Sequence, residues 1–381
     1  MFDLYSGNTP SRLNKEHFKG TVNWISSGEL KEHYIYSSKE QISEEAAKSL
    51  KLLPVGTFVI AIYGLEADGV RGTGSITQEP STISQACMSF IPKGVIENEF
   101  LYSWYKKHGN VIGIRYAQGT KQQNLSYDIL EKFRIAYPNT KEQEKLNKFI
   151  SLLDERIATQ NKIIDKLQSL IKGLEDNLLD NPLWEKTYLR SFMQFFPTNS
   201  LSWEQLGYKE GAIRNLHYGL IHSFQTRGIN SASLPMIKNE AVPKQYVLCQ
   251  VGDVAFADAS EDTGEIAKSV EFVDTIEGDT ICGLHTIHGR DIKNRTVVGF
   301  KGFAFNSRYF HNQIKRLAQG TKVFSITANN LSSCYVYLPD LEKQKAIVKL
   351  LRSYEEQLII GRMILKQYEK QKQYLLRQMF I

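Results

Sequence analysis

The sequence predicts an α+β fold in which two mixed α/β lobes alternate with two long helices, so that the chain is pseudo-two-fold symmetric. First, residues 117–121 (AQGTK) recur at 318–322, an offset of 201 residues. Second, the segments after these repeats carry apolar residues at the heptad spacing of long helices. Third, the segments before them contain short strands punctuated by glycine turns. Because a period this long repeats a whole structural unit, we expect two related halves.

The offset of 201 residues also pairs similar residues on the carboxyl-terminal side of each repeat. The pairs are Pro138 with Pro339, Asn139 with Asp340, Gln143 with Gln344, Leu146 with Ile347, Asp154 with Glu355 and Ile157 with Leu358. The duplication therefore includes the junction between lobe and helix as well as the helix itself.

The first helix is predicted to begin at 140–143 (TKEQ), which is typical of a helix N-terminus, and to end near Leu179. Nine of its ten heptad seam positions are apolar: Leu146, Ile150, Leu153, Ile157, Gln160, Ile164, Leu167, Ile171, Leu174 and Leu178. The same offset gives a second, poorer seam: Ile347, Leu351, Tyr354, Leu358, Gly361, Leu365, Tyr368, Lys372, Leu375 and Met379.

Gln160 and Gly361 interrupt the two seams at the same step. Two interpretations are open: a crossing point or a polar contact that fixes the register, or a heptad slip at which both residues face solvent. An apolar stripe must be buried against a partner, so the two helices are predicted to pair antiparallel as a coiled coil. The predicted segments are a first lobe (1–139), a central spacer helix (140–180), a second lobe (181–340) and a C-terminal spacer helix (341–381).

Within the lobes, residues 56–63 and 251–257 have the composition of buried strands that follow a turn. The sequence shows no long alternation of strands and helices, which disfavours a Rossmann-type domain.

Composition predicts a folded cytoplasmic protein without a membrane partner. The 381 residues are 42% hydrophobic, which excludes a largely disordered chain. The amino-terminal residues do not resemble a signal peptide, and the longest apolar run, 58–63, is too short to span a bilayer. The four cysteines form no CxxC pair, which favours buried, reduced thiols. The net charge of +6 by itself indicates nucleic acid only weakly, because binding depends on clustered cations.

No catalytic residue, metal site or cofactor is predicted. The chain lacks a phosphate-binding GxxxxGK loop, and 181–184 (NPLW) lacks the second proline of a base-flipping methyltransferase loop. The acidic stretch 253–265 has no carboxylate-x-lysine pair of the kind that nucleases use to hold a metal and water. His285 and His288 have a metal-compatible spacing, but they lie among strand-like residues, and no metal site is predicted there.

Several short motifs occur in a consistent order along the chain. They are 7–11 (GNTPS), 24–30 (WISSGEL), 83–86 (ISQA), 218–224 (YGLIHSF) and the two AQGT segments. With the repeat and the paired seams, they make nearly the whole chain resemble the specificity subunits of type I restriction-modification systems, whose lobes are target-recognition domains. The first lobe lacks a lead-in like 184–189 (WEKTYL), so the family pattern predicts about ten further residues, either missing from this sequence or never encoded.

The resemblance implies a non-catalytic DNA specificity subunit. Each lobe would read one half of a bipartite site in double-stranded DNA, while the helices set the spacer and dock two modification (methyltransferase) subunits. Restriction subunits would join through the complex. Adenine methylation with S-adenosylmethionine and ATP-dependent cleavage would then belong to those other subunits.

The residues expected to face DNA combine phosphate-binding cations with groups able to bind base edges. In the first lobe they are Thr9, Ser11, Arg12, Lys31, Gln85, Lys121 and Gln122. In the second they are Tyr218, His222, Lys268, His285, Arg290 and Lys322. The alternatives are a coiled-coil scaffold with two protein-binding lobes, and a self-contained DNA methyltransferase or nuclease, which the missing motifs disfavour.

Overall fold

A computed structural model describes residues 1–209, 211, 213–224, 226–274 and 278–380. The chain forms two compact units, Met1–Gln160 with Leu365–Ile381, and Asn161–Ile364. Each unit therefore contains one lobe and part of each long helix. The division into four sequence segments stays a prediction.

The first unit contains an antiparallel-rich sheet and a smaller three-stranded sheet. Its strands are β1 (Phe2–Ser6), β2 (Val22–Ile25), β3 (Tyr34–Ile35), β4 (Gln41–Ile42), β5 (Phe58–Ala61), β6 (Gly74–Thr77), β7 (Ser81–Ile83) and β8 (Cys87–Pro92). Its helices are α1 (Glu44–Lys48), α2 (Asn98–Tyr116), α3 (Tyr127–Leu130) and the first part of α4 (Thr140–Leu179).

The larger sheet has the strand order β1-β8-β5-β6-β3, and the smaller one has the order β4-β2-β7. Helix α2 packs against β5 and β6. Phe58, Phe100 and Leu101 are almost fully buried in the core between them. The strand predicted at 56–63 is confirmed as β5.

The second unit repeats this plan with additions. Its strands are β9 (Glu185–Tyr188), β10 (Met193–Phe196), β11 (Leu206–Gly207), β12 (Ile213–Leu216), β13 (Gly228–Ile229), β14 (Met236–Ile237), β15 (Val254–Ala257), β16 (Ala259–Ser260), β17 (Ser269–Phe272), β18 (Asp279–Cys282), β19 (Thr286–Asp291), β20 (Phe324–Ser325) and β21 (Tyr335–Leu338). Its helices are α5 (Tyr218–Ser223), α6 (Phe300–Ala304), α7 (Arg308–Leu317), α8 (Ala328–Ser333) and the first part of α9 (Leu341–Met379).

The sheet β10-β19-β15-β17-β13 corresponds to the larger sheet of the first unit, and β11-β14-β12-β18 corresponds to the smaller one. The strand predicted at 251–257 is confirmed as β15. One pairing lacks a counterpart: β9 pairs antiparallel with β21, whereas residues 134–137 of the first lobe pair with no strand in the described part of the chain.

The two predicted long helices are confirmed as α4 and α9. Each begins one residue after its cap: the Asn139 side chain accepts a hydrogen bond from the Glu142 amide (3.1 Å), and the Asp340 side chain accepts one from the Lys343 amide (2.8 Å). The cap of α4 is therefore Asn139, just before the predicted start at Thr140, because its carboxamide can satisfy an otherwise unpaired amide. Within the described residues, no helix has both the length and the apolar character needed to cross a bilayer.

The contacts within each unit confirm the antiparallel pairing. In the first unit, Lys372 near the end of α9 forms an ion pair with Asp154 in the first half of α4. In the second, Leu179 at the end of α4 shares a buried core with Ile347 and Leu351 at the start of α9. All twenty seam positions are buried or half-buried, including Gln160 and Gly361, which removes the solvent-facing interpretation of the two interruptions.

A buried glutamine joins each helix to its lobe in the same way. Gln143 Nε2 donates to the carbonyls of Pro138 (2.9 Å) and Val95 (2.8 Å), and its Oε1 accepts from the Glu97 amide (3.0 Å). Gln344 Nε2 donates to the carbonyls of Pro339 and Arg295 (both 3.0 Å), and its Oε1 accepts from the Val297 amide (3.0 Å). The paired glutamines of the repeat are thus equivalent joints, and both are almost fully buried.

Candidate nucleic-acid interface

The smaller sheet places several loops together. Strands β2 and β7 are parallel, with Ile25 opposite Ile83, so the loops that follow them leave from the same end of the sheet. The Ser84 amide donates to the Ile25 carbonyl at 2.8 Å and holds these two loops side by side.

The loop that carries the GNTPS motif joins this end of the sheet. The Asn8 amide donates to the Ile83 carbonyl (3.1 Å), and Trp24 Nε1 donates to the Asn8 carbonyl (3.0 Å). A Cβ atom at Gly7 would lie 2.0 Å from the Ile83 carbonyl oxygen, so only glycine fits there. The close approach of the two backbones therefore explains why the motif begins with glycine.

The AQGTK repeat forms a tight turn next to these loops. Gly119 has φ +108°, and a Cβ atom there would lie 2.0 Å from the Gln122 carbonyl oxygen. The Leu125 amide donates to the Ile62 carbonyl (2.8 Å), and the Ile62 amide donates to the Ala86 carbonyl (2.9 Å). We call these grouped segments the first-lobe loop edge; they are residues 7–12, 26–31, 62–71, 84–86 and 117–124.

The second lobe builds the same arrangement from different residues. The Gly283 amide donates to the Leu216 carbonyl at 2.9 Å, as Ser84 does to Ile25. The Asp258 amide donates to the His285 carbonyl (3.0 Å), and the Ile326 amide donates to the Asp258 carbonyl (2.9 Å). Gly320, at φ +130°, forms the turn of the second repeat. The second-lobe loop edge consists of residues 198–203, 217–223, 258–268, 283–285 and 318–325.

All seven residues predicted for the first lobe lie on its loop edge. Six are exposed, and Thr9 is half-buried. Arg12 is already paired: its guanidinium forms two hydrogen bonds to the Glu40 carboxylate (3.1 and 2.8 Å) and lies 4.5 Å from the ring centroid of Phe18. The hydrogen bond from Arg12 lowers the pKa of Glu40. Arg12 is therefore held in place, whereas Lys31, Gln85, Lys121 and Gln122 project from loops.

Four of the six residues predicted for the second lobe form a cluster. The rings of Tyr218 and His285 meet edge to face at 5.3 Å. Lys268 Nζ and His222 Nδ1 approach the same carboxylate oxygen of Glu265, at 2.9 and 3.3 Å. Burial favours a raised pKa for Glu265, but the hydrogen bonds from Lys268 and His222 outweigh it and lower that pKa. Lys268 and His222 are therefore fixed beside a carboxylate that stays ionised.

His285 has an unusual backbone conformation for a residue with a side chain. Its φ is +53°, and its Nδ1 lies 3.0 Å from the Asp258 Oδ1. Such strain in a non-glycine residue is maintained by surrounding contacts and is common at functional sites. The side chain is half exposed at the loop edge.

The structure gives Arg290 a different position from the other predicted residues. Its Nε and Nη2 donate to the Asp253 carboxylate (2.8 and 2.7 Å), and Nη2 also donates to the Leu248 carbonyl (2.8 Å). Burial favours a raised pKa for Asp253, but the hydrogen bonds from Arg290 and then His288 outweigh it and lower that pKa. Arg290 braces β19 and the start of β15 from outside the loop edge. Lys322 is exposed on the repeat turn.

Sequence reasoning missed an aromatic row on the second-lobe loop edge. The Trp203 ring, in a residue that is 45% exposed, lies 4.4 Å from the His217 ring at a tilt of 37°, and the His217 ring lies 4.7 Å from that of Tyr218. The row therefore continues from Trp203 through His217 and Tyr218 to His285. In the sequence, residues 202–205 (SWEQ) have the pattern of a capping box, which indicates a short turn that carries Trp203.

His285 and His288 do not share a metal site. His285 lies at the loop edge, whereas His288 is buried on β19 with its Nε2 2.7 Å from the Asp253 Oδ2. Within the described residues, the side chains that group with His288 as potential metal ligands are Cys249 and Cys282.

The chain is similar to known proteins over most of its length. The family model described as "Type I restriction modification DNA specificity domain" matches residues 1–169 and 237–370. The MjaIX specificity subunit of Methanocaldococcus jannaschii is 30% identical over 174 residues, or 43% of this chain and 39% of that protein. The EcoR124I/EcoR124II specificity subunit of Escherichia coli is 31% identical over 168 residues, or 43% and 40%. The chain thus spans about two fifths of the length of these curated relatives.

The fold is similar to that of a solved structure as well. The crystal structure of the type I restriction-modification system S subunit from M. genitalium superposes with a TM-score of 0.58 at 14% identity, covering 100% of this chain and 94% of that one. This likeness confirms the predicted α+β class with two lobes and two long paired helices. Since the family model matches segments of both lobes and both helices, the chain belongs to the type I restriction-modification DNA specificity subunits.

Proposed function

We propose that each lobe lays its loop edge against one half of a bipartite site in double-stranded DNA, as the specificity subunit of a type I restriction-modification complex. One observation carries the proposal. The two lobes build the loop edge with matching main-chain hydrogen bonds, yet the side chains that project from it differ. Two lobes that recognise different half-sites need the same backbone arrangement with different side chains on it.

The side chains on the two edges suit different contacts. Gln85 and Gln122 offer amide groups that can bind adenine edges, and Lys31 and Lys121 can contact phosphates. On the second edge, Tyr218, His222 and His285 offer ring surfaces and nitrogen donors, with Lys268 beside them. Thr9, Ser11 and Lys322 complete the two contact sets.

Arg12 and Arg290 act differently in this proposal. Arg12 contacts the DNA backbone from a position fixed by Glu40 and Phe18. Arg290 keeps its bonds to Asp253 and supports the second loop edge from below, so it contributes to DNA binding through the position of β19.

The long helices set the spacing between the half-sites and dock two modification subunits, and restriction subunits join through the complex. Methyl transfer to adenine and DNA cleavage then occur in those subunits, while this chain supplies no catalytic group. Such a complex works in the cytoplasm, where its DNA is.

The test is a pair of binding experiments on a randomised duplex library, with the cognate modification subunits present. Changing Lys121 and Gln122 to Ala should relax base preference in one half-site by about tenfold or more, since one good base contact contributes about 1–3 kcal/mol. Lys132→Ala, an exposed change in the same lobe outside the loop edge, is the matched control. His285→Ala should relax the other half-site.

A change of preference in both half-sites by one variant would contradict the assignment of one half-site per lobe. Binding that does not weaken as salt rises would favour the protein-binding scaffold instead, because phosphate contacts release counterions. Methylation or cleavage by the isolated chain would favour a self-contained enzyme.

A further inference from the structure

Three potential metal ligands meet in the core of the second lobe. Cys249, Cys282 and His288 come from three separate segments, and their ligand atoms all lie within 4.8 Å of one another. All three residues are buried, with exposures of 6%, 2% and 1%. Cys249 lies in the segment before β15, Cys282 on β18 and His288 on β19, so the three side chains meet only through the packing of two sheets.

The sulfur geometry suits a metal ion. The two Sγ atoms are 3.6 Å apart. In a tetrahedral site with metal–sulfur bonds of about 2.3 Å, two thiolates lie about 3.8 Å apart. The pair could therefore bind one ion with little movement.

His288 has the kind of carboxylate partner that metal-binding histidines usually have. Its Nε2 lies 2.7 Å from the Asp253 Oδ2, which leaves Nδ1 as its remaining nitrogen. Asp253 is in turn fixed by Arg290 through two hydrogen bonds. A carboxylate behind the imidazole fixes the tautomer and raises the basicity of the ligating nitrogen. The Asp253–Arg290 pair, which lies outside the loop edge, would thereby hold a metal ligand in position.

Charge and local polarity also favour a divalent cation. Two thiolates, a neutral imidazole and one divalent ion sum to zero charge, and burial of a neutral group costs far less than burial of an unpaired charge. Thr280 lies two residues before Cys282 on β18, so the two side chains share a face of the strand. Its buried Oγ1 has no hydrogen-bond partner within the described residues and could complete the coordination directly or through a water molecule.

The first lobe has other residues at the positions that correspond to these three ligands. Its Leu53 amide donates to the Ser81 carbonyl at 2.8 Å, as the Cys249 amide does to the Thr280 carbonyl at 2.8 Å. By the same register Ile83 corresponds to Cys282, and Ser89 to His288. In the first lobe the two cysteine positions therefore carry the apolar residues Leu53 and Ile83, and the histidine position carries the small residue Ser89.

We propose that Cys249, Cys282 and His288 bind one structural Zn²⁺ ion in the second lobe. Thiolate and imidazole donors in a closed, buried site favour zinc over the oxygen-seeking Mg²⁺ and Ca²⁺. The ion would tie β18 and β19 to the segment before β15, directly beneath the second-lobe loop edge.

Elemental analysis of the purified full chain after dialysis against a weak chelator tests the proposal. We expect about one zinc atom per chain in the wild type, none in Cys282→Ser, and full retention in Cys334→Ser, whose cysteine is buried outside the cluster. Cobalt substituted for zinc should give a thiolate-to-metal charge-transfer band in the wild type that Cys282→Ser lacks. A wild-type chain without metal, or with a Cys249–Cys282 disulfide, would overturn the proposal.

A second variant separates metal binding from folding. Changing Cys249 to Leu and Cys282 to Ile installs the first-lobe residues, so this protein should fold without zinc and its thermal midpoint should not respond to a strong chelator. The wild-type midpoint should fall under the same treatment. Zinc retained by the double variant would indicate adventitious binding elsewhere and would also refute the site. None of these readouts requires DNA binding.

Discussion

Arg227 is the cation shared by two buried carboxylates in the second unit. Its Nη2 lies 3.5 Å from the Glu175 Oε1, and its amide donates to the Glu355 Oε1 at 3.3 Å. Glu175 and Glu355 are 6% and 7% exposed. Burial raises the pKa of both residues, that of Glu355 to about 7, because desolvation of the carboxylates outweighs the attraction of Arg227.

The raised pKa of Glu355 predicts that the free energy of unfolding falls as pH rises. The folded pKa of Glu355, about 7, lies above the ordinary value of 4.5, so the folded chain binds this proton more tightly than the unfolded chain. Stability is therefore lost between about pH 4.5 and pH 7, by an amount on the order of 3 kcal/mol. Glu355→Gln should remove this loss, raising the thermal midpoint at pH 8 and leaving it nearly unchanged at pH 5.

The control for that comparison is Glu356→Gln, an exposed change at the adjacent position of α9. It should follow the wild type at both pH values. Equal pH slopes for Glu355→Gln and the wild type would show that the Glu355 proton does not contribute.

The buried glutamine joints give a second prediction for single residues. Gln344→Ala should destabilise the second unit by about 2–4 kcal/mol, because the Val297 amide and the carbonyls of Pro339 and Arg295 lose their partner. Gln143→Ala should do the same in the first unit. Chemical denaturation measures the loss in free energy of unfolding, and hydrogen exchange near each joint shows which unit is affected. The exposed Gln373→Ala is the control. A loss below 0.5 kcal/mol, the usual size for surface changes, would contradict the role of the joint.

At the scale of elements, the two lobes differ most where β9 lies. In the second lobe β9 pairs with β21, the Leu189 amide donates to the Cys334 carbonyl (2.9 Å), and the Leu189 side chain is fully buried. In the first lobe the corresponding space is a cavity of about 290 Å³. It is lined mainly by apolar side chains that include Leu4, Tyr127, Leu130, Phe133 and Ile135.

Fusing a copy of residues 182–191 before Met1, which itself corresponds to Phe192, should therefore stabilise the first unit. The added leucine would fill the cavity, and burial of such a side chain contributes about 1.5–3 kcal/mol. Hydrogen exchange should slow at residues 134–137 when they gain a strand partner. The control fusion carries Asp at the position of Leu189. Equal hydrogen-exchange protection in the two fusions would show that the added leucine does not fill the cavity.

The elements themselves were predictable to different extents. The long helices follow from a heptad pattern that is local and repeated, so even their ends are close to the predicted residues. The strands β12 and β18 are parallel although more than sixty residues separate them, and nothing local in either segment specifies that partner. The loop edges depend on this pairing, which is why sequence reasoning named their residues without showing how they meet.

At the scale of the whole molecule, the helices are proposed to determine the separation of the two DNA half-sites. Inserting one heptad into both α4 and α9 keeps the apolar seam in register and lengthens each helix by about 10 Å, which is roughly three base pairs. We expect the recognised spacer to grow by about that number while both half-sites keep their bases. Sequencing of methylated sites from cells that carry the complete system measures both quantities.

Inserting the same heptad into α4 alone should abolish methylation, because the antiparallel seams would no longer match. A changed base preference within a half-site after the paired insertion would contradict the assignment of spacing to the helices.

The candidate site shows most clearly where the sequence was insufficient. The family motifs located Thr9, Gln85 and Tyr218 because those segments match a known pattern. The cluster of Cys249, Cys282 and His288 was missed because its members meet only when β18, β19 and the segment before β15 pack together. Arg290 was predicted to contact DNA through its guanidinium, but its buried partner Asp253 lies 37 residues away in the sequence.

The matching glutamine joints have a consequence for how new variants can arise. Each joint holds its lobe through main-chain atoms alone, so it tolerates almost any side chains on the lobe that it carries. A graft that exchanges one lobe at the proline before the joint would keep all three bonds and leave the helix unaltered. Chimeras of this kind should recognise one half-site from each parent. The glutamine joint, rather than the loop edge, would then be the feature that allows new specificities to arise.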